Sequence, residues 1–314
     1  MELTQHTVAG IVHDVYDIMR ERFLAPDPNI DAVMSRILEK KGKGVRPIFM
    51  ALVAELVGGS WESVRQAAVV IEAIHLASLL HDDVVDGAEL RRGVPSLNSK
   101  HSNKVSVLFG DLLLSNALEI MDCLDNGSAV SIIHQLIKRM VRGEIRDTLD
   151  GMLITEEQYL EAIEDKTASM FSASGELSVL FSGVEGDARR WARELGETVG
   201  MAFQIIDDTL DYNGNKEVMG KSLCMDLLGG HATLPLIYSL RGMSQEKRDV
   251  FLSDRDGSHE DVCAFVRERG GIDYSYRKAE EYSERAREIV RQFDNSRVIP
   301  AFEAFIRMIM NRHH

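Results

Sequence analysis

Proline is scarce in this chain: six residues in 314, and none between Pro95 and Pro235. Long helices meet no obligatory break across that span. Cysteine is scarcer still. Cys123, Cys224 and Cys263 are odd in number and widely spaced, which excludes a disulfide framework and a paired-cysteine zinc motif. Reduced buried thiols in a reducing, cytoplasmic compartment are the expectation. Positive charge is in deficit, with 36 Lys and Arg against 50 Asp and Glu and a net charge of −14. Such a surface does not attract nucleic acid. No apolar run of about 18 residues occurs, so no transmembrane helix is expected. His6, His13, Asp14 and Asp17 interrupt the N-terminal apolar pattern, unlike a signal peptide.

What is present is helix-forming. Leu, Met, Ala, Glu and Arg fill the proline-free stretch. No segment alternates with period two for more than a few residues, and no linker or low-complexity tract appears. The expectation is an all-α chain forming one domain over residues 1–314. Helices are predicted over 7–24, 31–40, 47–57, 63–86, 104–123, 128–148, 155–182 and 187–211. Loops are predicted over 87–102 and 216–232.

Two copies of one acidic pattern stand out: Asp82-Asp83-Val84-Val85-Asp86 and Asp207-Asp208-Thr209-Leu210-Asp211. In each, carboxylates at i and i+4 share a helix face, with the middle one about 100° round from the first. Both copies fall at predicted helix C-termini, where each costs about 0.3–1 kcal/mol against the helix dipole. Facing patches of this kind need cations between them. Mg²⁺ is the natural choice, because it takes oxygen ligands and shares carboxylates with substrate phosphates. A metal-clamped phosphate or diphosphate is the implied ligand.

Such a ligand needs local positive charge. Lys43 and Arg46 flank a glycine turn at a helix start, where free N–H groups also favour anions. Arg91-Arg92 follows the first cluster, Lys166-Thr167 pairs a cation with a hydroxyl, and Lys221 follows the second cluster. His75 lies two turns before Asp82, and Gln204 lies three residues before Asp207. Singly, each is ordinary surface or core. Together they supply charge for two polyphosphate groups, with Arg suited to bidentate contact.

With these motifs in order over roughly residues 10–240, the chain resembles the trans-polyprenyl diphosphate synthases of the isoprenoid synthase superfamily. The motifs are DDxxD with Arg91-Arg92, Phe203-Gln204-Ile205-Ile206-Asp207-Asp208, Gly42-Lys43-x-x-Arg46-Pro47, Gly110-Asp111, Lys166-Thr167 and Gly220-Lys221. The resemblance implies one large bundle of antiparallel helices around a central cavity, and a homodimer. It implies Mg²⁺ on Asp82, Asp86, Asp207, Asp208 and Asp211. It further implies that Arg91, Lys166, Thr167, Gln204 and Lys221 hold an allylic prenyl diphosphate. Lys43, Arg46, His75 and Arg92 would hold isopentenyl diphosphate. Asp82, Asp207, Lys166 and Lys221 would carry the ionisation step. Two departures stand: Gly44 follows Lys43 where a basic residue is usual, and His231 occupies the place of a lysine in the later Asp-Leu-x-x-Gly-Lys pattern.

Product length is read from the helix before Asp82. Short-chain members of that family place an aromatic four or five residues upstream. Here Ser78 and Ala77 stand there, with Ile74 a turn further back. One turn rises about 5.4 Å, close to one isoprene unit. A product of about seven to nine units is expected, suited to a quinone side chain. The alternatives are a short-chain farnesyl or geranylgeranyl diphosphate synthase, an inactive subunit of a two-chain synthase, a terpene cyclase, or a phosphohydrolase built on His81-Asp82.

Overall fold

The computed structural model describes residues 7–91, 93–150, 155–213, 227, 230–244, 246–248, 251 and 259–311. Arg92 and Lys221, both expected to bind substrate, lie outside the described residues. The described chain is all-α except for one two-stranded hairpin, β1 (Leu90–Arg91) and β2 (Val94–Pro95). None of its helices is long and apolar enough to cross a membrane.

The chain divides into two compact units, each assembled from three separate stretches. The first comprises Met1–Leu136, Met170–Gly196 and Ile289–Ala304. Its helices begin with α1 (Val8–Phe23), α2 (Pro28–Glu39), α3 (Val45–Leu56) and α4 (Trp61–Val85). α5 (Leu97–Lys100) and α6 (Asn103–Cys123) follow the hairpin. α1 starts where Thr7 Oγ1 accepts from Gly10 N at 3.1 Å, a side-chain cap on an otherwise orphaned N–H. α3 is apolar apart from Arg46 and Glu55, and every one of its residues is buried, as in a core helix. Phe49 on α3 meets Phe171 and Phe302 edge to face, at 5.7 and 6.2 Å.

Close packing in this unit depends on glycine. On α9 (Ser169–Phe181) a Cβ at Gly175 would lie 2.2 Å from Ala192 O. On α10 (Ala188–Asn213) a Cβ at Gly196 would lie 2.1 Å from Phe171 O. Alanine is favoured over glycine in a helix by about 1 kcal/mol. Here the helices would have to separate, and the typical overpacking cost of about 1–3 kcal/mol wins.

The second unit comprises Ile137–Ser169, Glu197–Glu288 and Phe305–His314. It contains the second half of α7 (Gly127–Asp150), α8 (Glu156–Ile163) and α11 (Leu234–Ser239). α12 (His259–Glu268) and most of α13 (Gly271–Val290) follow. Tyr159, Ile163, Ile205, Ile206, Leu210, Tyr212, Leu234 and Val266 share its core. α8 opens with a reciprocal cap, Gln158 N donating to Thr155 Oγ1 and Thr155 N donating to Gln158 Oε1.

Three expectations are revised. The helix predicted over 155–182 is interrupted by a π-helical turn at Glu164–Ala168. The loop predicted over 87–102 holds the hairpin and α5. The thiols are not uniformly buried, since Cys123 is free and exposed.

Candidate functional site

In the first unit the candidate site is built on α3 and α4. Gly44 caps α3 in the left-handed region, at φ 60°. That conformation suits glycine, and a side chain there would strike Val12. A basic residue at position 44 is excluded on both grounds, which accounts for one departure from the family pattern. Tyr16, fully buried on α1, accepts from Gly42 N at 2.9 Å and donates to Glu72 Oε1 at 3.1 Å. This phenol ties the Lys43 turn to the face of α4 that carries His75, three residues after Glu72. Lys43 is exposed, His75 is half-buried, and Arg46 is buried with its guanidinium 5.3 Å from the Phe171 ring centre.

The first acidic cluster ends α4, with Asp86 as its C-cap. Its three carboxylates do not share one patch. Asp82 is half-buried and Asp86 exposed, while Asp83 is 1% exposed and accepts from Arg91 Nε at 2.6 Å. Arg91, expected to hold diphosphate, therefore commits one N–H donor to the cluster itself. Asn98 Nδ2 donates to Asp83 O and Ala88 O, and Ser96 Oγ donates to Ala88 O, ordering the chain beyond the cluster. Farther back on α4, Ile74 and Ala77 are buried and Ser78 Oγ donates to His75 O. α6 lies against this stretch, Ser106 Oγ donating to Leu80 O at 2.9 Å.

The second cluster, on α10 within the second unit, repeats the division. Asp207 is exposed, Asp211 half-buried and Asp208 buried. Tyr159 OH donates to Asp208 Oδ2 at 2.6 Å and Gln204 Nε2 donates to Asp208 Oδ1 at 2.7 Å. Thr167 Oγ1 donates to Gln204 Oε1 at 2.8 Å, completing a chain of four side chains. Burial raises the Asp208 carboxyl to about 7, helped by the charges of Asp207 and Asp147 and opposed by the Tyr159 and Gln204 hydrogen bonds. In both clusters, then, the middle aspartate anchors and the outer two reach solvent. A Tyr159→Phe change removes a buried hydrogen bond to a carboxyl group. It is expected to destabilise the protein by about 1.5–3 kcal/mol in urea unfolding, with circular dichroism unchanged in the native baseline.

The π-helical turn places its two central residues on different neighbours. Thr167 meets Gln204 of α10, whereas Lys166 Nζ meets Glu144 Oε2 at 2.7 Å and Asp147 Oδ2 at 3.1 Å on α7. Arg142 grips Asp165 from α7 through two N–H groups, at 2.7 and 2.8 Å, and Arg139 Nε adds a third contact at 2.9 Å. A Cβ at Gly143 would lie 2.7 Å from Lys166 N, so only glycine admits this close approach. π-helical turns recur at functional sites. Glu144, Asp147, Tyr159 and Asp165 were not singled out from the sequence. Their one legible signal was Gly143-Glu144-x-x-Asp147 on a predicted helix, with both acids on one face.

His231, the second departure from the family pattern, has Nδ1 3.1 Å from Asp147 Oδ1. Burial is the largest influence on Asp147 and works to raise its carboxyl, but His231 and Lys166 together hold it below the usual value.

The donor sets of both clusters are carboxylate oxygens, suited to a hard divalent ion. Among the described residues no three His, Cys, Asp or Glu side chains gather closely enough to enclose a metal.

Residues 27–268 match the model of the polyprenyl synthetase family. The octaprenyl diphosphate synthase of Escherichia coli K12 is 32% identical over 292 residues, covering 91% of this chain and 89% of that protein. The heptaprenyl diphosphate synthase component 2 of Geobacillus stearothermophilus is 39% identical over 206 residues, 65% of this chain and 64% of that one. Among solved structures, a Caulobacter crescentus polyprenyl synthase complexed with calcium and isoprenyl diphosphate superposes with a TM-score of 0.89 at 27% identity, covering all of both chains.

Proposed function

The chain belongs to the polyprenyl synthetase family, and from that premise we propose that it condenses isopentenyl diphosphate with an allylic diphosphate to a long all-trans polyprenyl diphosphate of about seven to nine isoprene units. It is an enzyme, a prenyl transferase, and polyprenyl synthases of this kind work with a divalent metal. The metal proposed here is Mg²⁺, on Asp82, Asp86, Asp207 and Asp211. Asp208 was expected to join them. With both its oxygens taken by Tyr159 and Gln204, it is proposed instead to orient its neighbours. The observation that carries the reading is the repeated cluster, in which a buried, bonded middle carboxylate fixes two accessible ones at the end of a long helix.

In the proposed reaction the allylic carbon–oxygen bond breaks and the diphosphate departs. Bound divalent ions supply Lewis-acid stabilisation of that leaving group. Lys166, Thr167 and Gln204 hold the allylic diphosphate, with Arg91 contributing the N–H donors not used on Asp83. Lys43, Arg46 and His75 hold isopentenyl diphosphate, whose double bond attacks the allylic cation to form the new carbon–carbon bond. The resulting cation then passes a proton to the released diphosphate and forms the new double bond. Arg92 and Lys221 keep their proposed substrate roles on sequence grounds alone. No nucleophilic side chain is required.

The long-chain product rests on two supports. Ala77 and Ile74 line the buried face of α4 without an aromatic, and relatives named for octaprenyl and heptaprenyl products cover most or much of the chain. A role in supplying a quinone side chain follows from that length. The test is incubation with labelled isopentenyl diphosphate and farnesyl diphosphate, then sizing of the dephosphorylated product. A limit at C15 or C20 refutes the long-chain reading.

A homodimer is proposed as the working form. A second reading, a catalytic subunit needing a different partner chain, is favoured by the relative named component 2. Val141, Ile145 and Leu149, exposed at 52, 53 and 78%, recur every four residues on α7 and offer an apolar stripe for either arrangement. Turnover by the isolated chain, with its mass in solution, separates the two. The free, exposed Cys123 suits the cytoplasm proposed as its compartment.

A further inference from the structure

Lys166 immediately precedes Thr167, which joins the chain of Gln204 and Asp208, and α7 already engages it. Glu144 Oε2 lies 2.7 Å from its Nζ and Asp147 Oδ2 lies 3.1 Å away. The other oxygen of Asp147, Oδ1, lies 3.1 Å from His231 Nδ1. One carboxylate is thus divided between an ammonium and an imidazole. All three side chains are about a quarter to a third exposed, so an anion arriving from solvent can compete for the ammonium.

We propose that His231 is a positioning residue: it holds Asp147 by one oxygen and thereby limits the grip of that carboxylate on Lys166, leaving the ammonium available to a diphosphate. His231 does not act here as a substitute lysine reaching the substrate. It acts on a carboxylate of α7, one step removed. Among the described residues the charged groups that face this arrangement include Asp147 and Glu144 from α7, Lys166 from the π-helical turn and Asp208 from α10.

The logic is electrostatic division. If the imidazole is removed, the whole of the Asp147 charge falls to Lys166, which then sits between two carboxylates with no competing partner for either. An ammonium so held is a weaker anion site. If Asp147 is then made neutral, the hold is relaxed and the loss is reversed. A purely structural role for His231 would give no such reversal, because neutralising Asp147 cannot restore lost packing. A glutamine at position 231 retains an N–H donor for Asp147 and preserves the division.

This inference rests on the proposed function, and calorimetry with inorganic diphosphate in magnesium buffer, using the full chain, tests it independently of turnover. His231→Ala is expected to weaken diphosphate binding about fivefold, equivalent to about 1 kcal/mol. His231→Gln is expected to stay within about twofold, and Asp147→Asn combined with His231→Ala to return to near the wild-type affinity. In steady-state kinetics the same alanine variant should raise KM for the allylic diphosphate and leave kcat and the KM for isopentenyl diphosphate nearly unchanged. Unaltered diphosphate binding in His231→Ala overturns the proposal. So does a double variant as weak as the single one. A wild-type chain that binds diphosphate but transfers no prenyl group overturns the functional reading, while the binding comparison still decides the role of His231.

Discussion

Asp82→Ala and Asp207→Ala are each expected to lower turnover on the order of 10³-fold or more, equivalent to about 4 kcal/mol of lost transition-state stabilisation. Both side chains reach solvent from a helix whose neighbouring carboxylate is buried and bonded. Asp82 stands in the last turn of α4, where its own charge is unfavourable. Alanine at either place is expected to leave helix content unchanged. Turnover with saturating magnesium, read beside circular dichroism, checks the claim. Near wild-type rates in either variant would remove the case for a metal clamp. Asp83→Ala and Asp208→Ala should behave differently. They strip the partners of Arg91 and of Tyr159 and Gln204, so their loss of activity should come with a fall in stability.

Ala77→Phe is expected to shorten the product from about seven to nine isoprene units to about three or four. Ala77 lies five residues before Asp82, a rise of about 7.5 Å along α4. It is 3% exposed on the stretch that α6 covers. A benzyl group there would block a growing tail within its first few units. Chromatography of the dephosphorylated products decides. If the ring merely overpacks the helix contact, turnover and stability fall by the usual overpacking cost of about 1–3 kcal/mol while product length stays the same. An unchanged product distribution would show that α4 does not set the length.

The all-α class and most helix limits were legible because they follow from local rules. The proline-free span, the glycine before Pro47 and the apolar period of α4 and α6 each carry their own signal. The placement of the outer aspartates was legible for the same reason. The burial of Asp83 and Asp208 was not, because it depends on partners 8 and 49 residues away, Arg91 and Tyr159. The π-helical turn was hidden too. Glu164 to Ala168 reads as ordinary helix, and its extra width is imposed by Arg139, Arg142 and Gly143 on α7. The conformation of Gly44 shows the reverse case. A residue noted as a departure from the family pattern proves to be demanded by a positive φ and by Val12.

The π-helical turn has one more consequence. A helix that carries an additional residue in one turn has absorbed an insertion without ending, and every side chain beyond it is rotated relative to those before it. Deleting a single residue from Glu164–Ala168 would restore an ordinary helix and preserve its hydrogen bonding. It would also turn the whole of α9 by about 100° against its neighbours. Gly175 would then no longer meet Ala192, and Lys166 and Thr167 could not face α7 and α10 at once. One residue of chain length thus lets Lys166 and Thr167 face α7 and α10 at once.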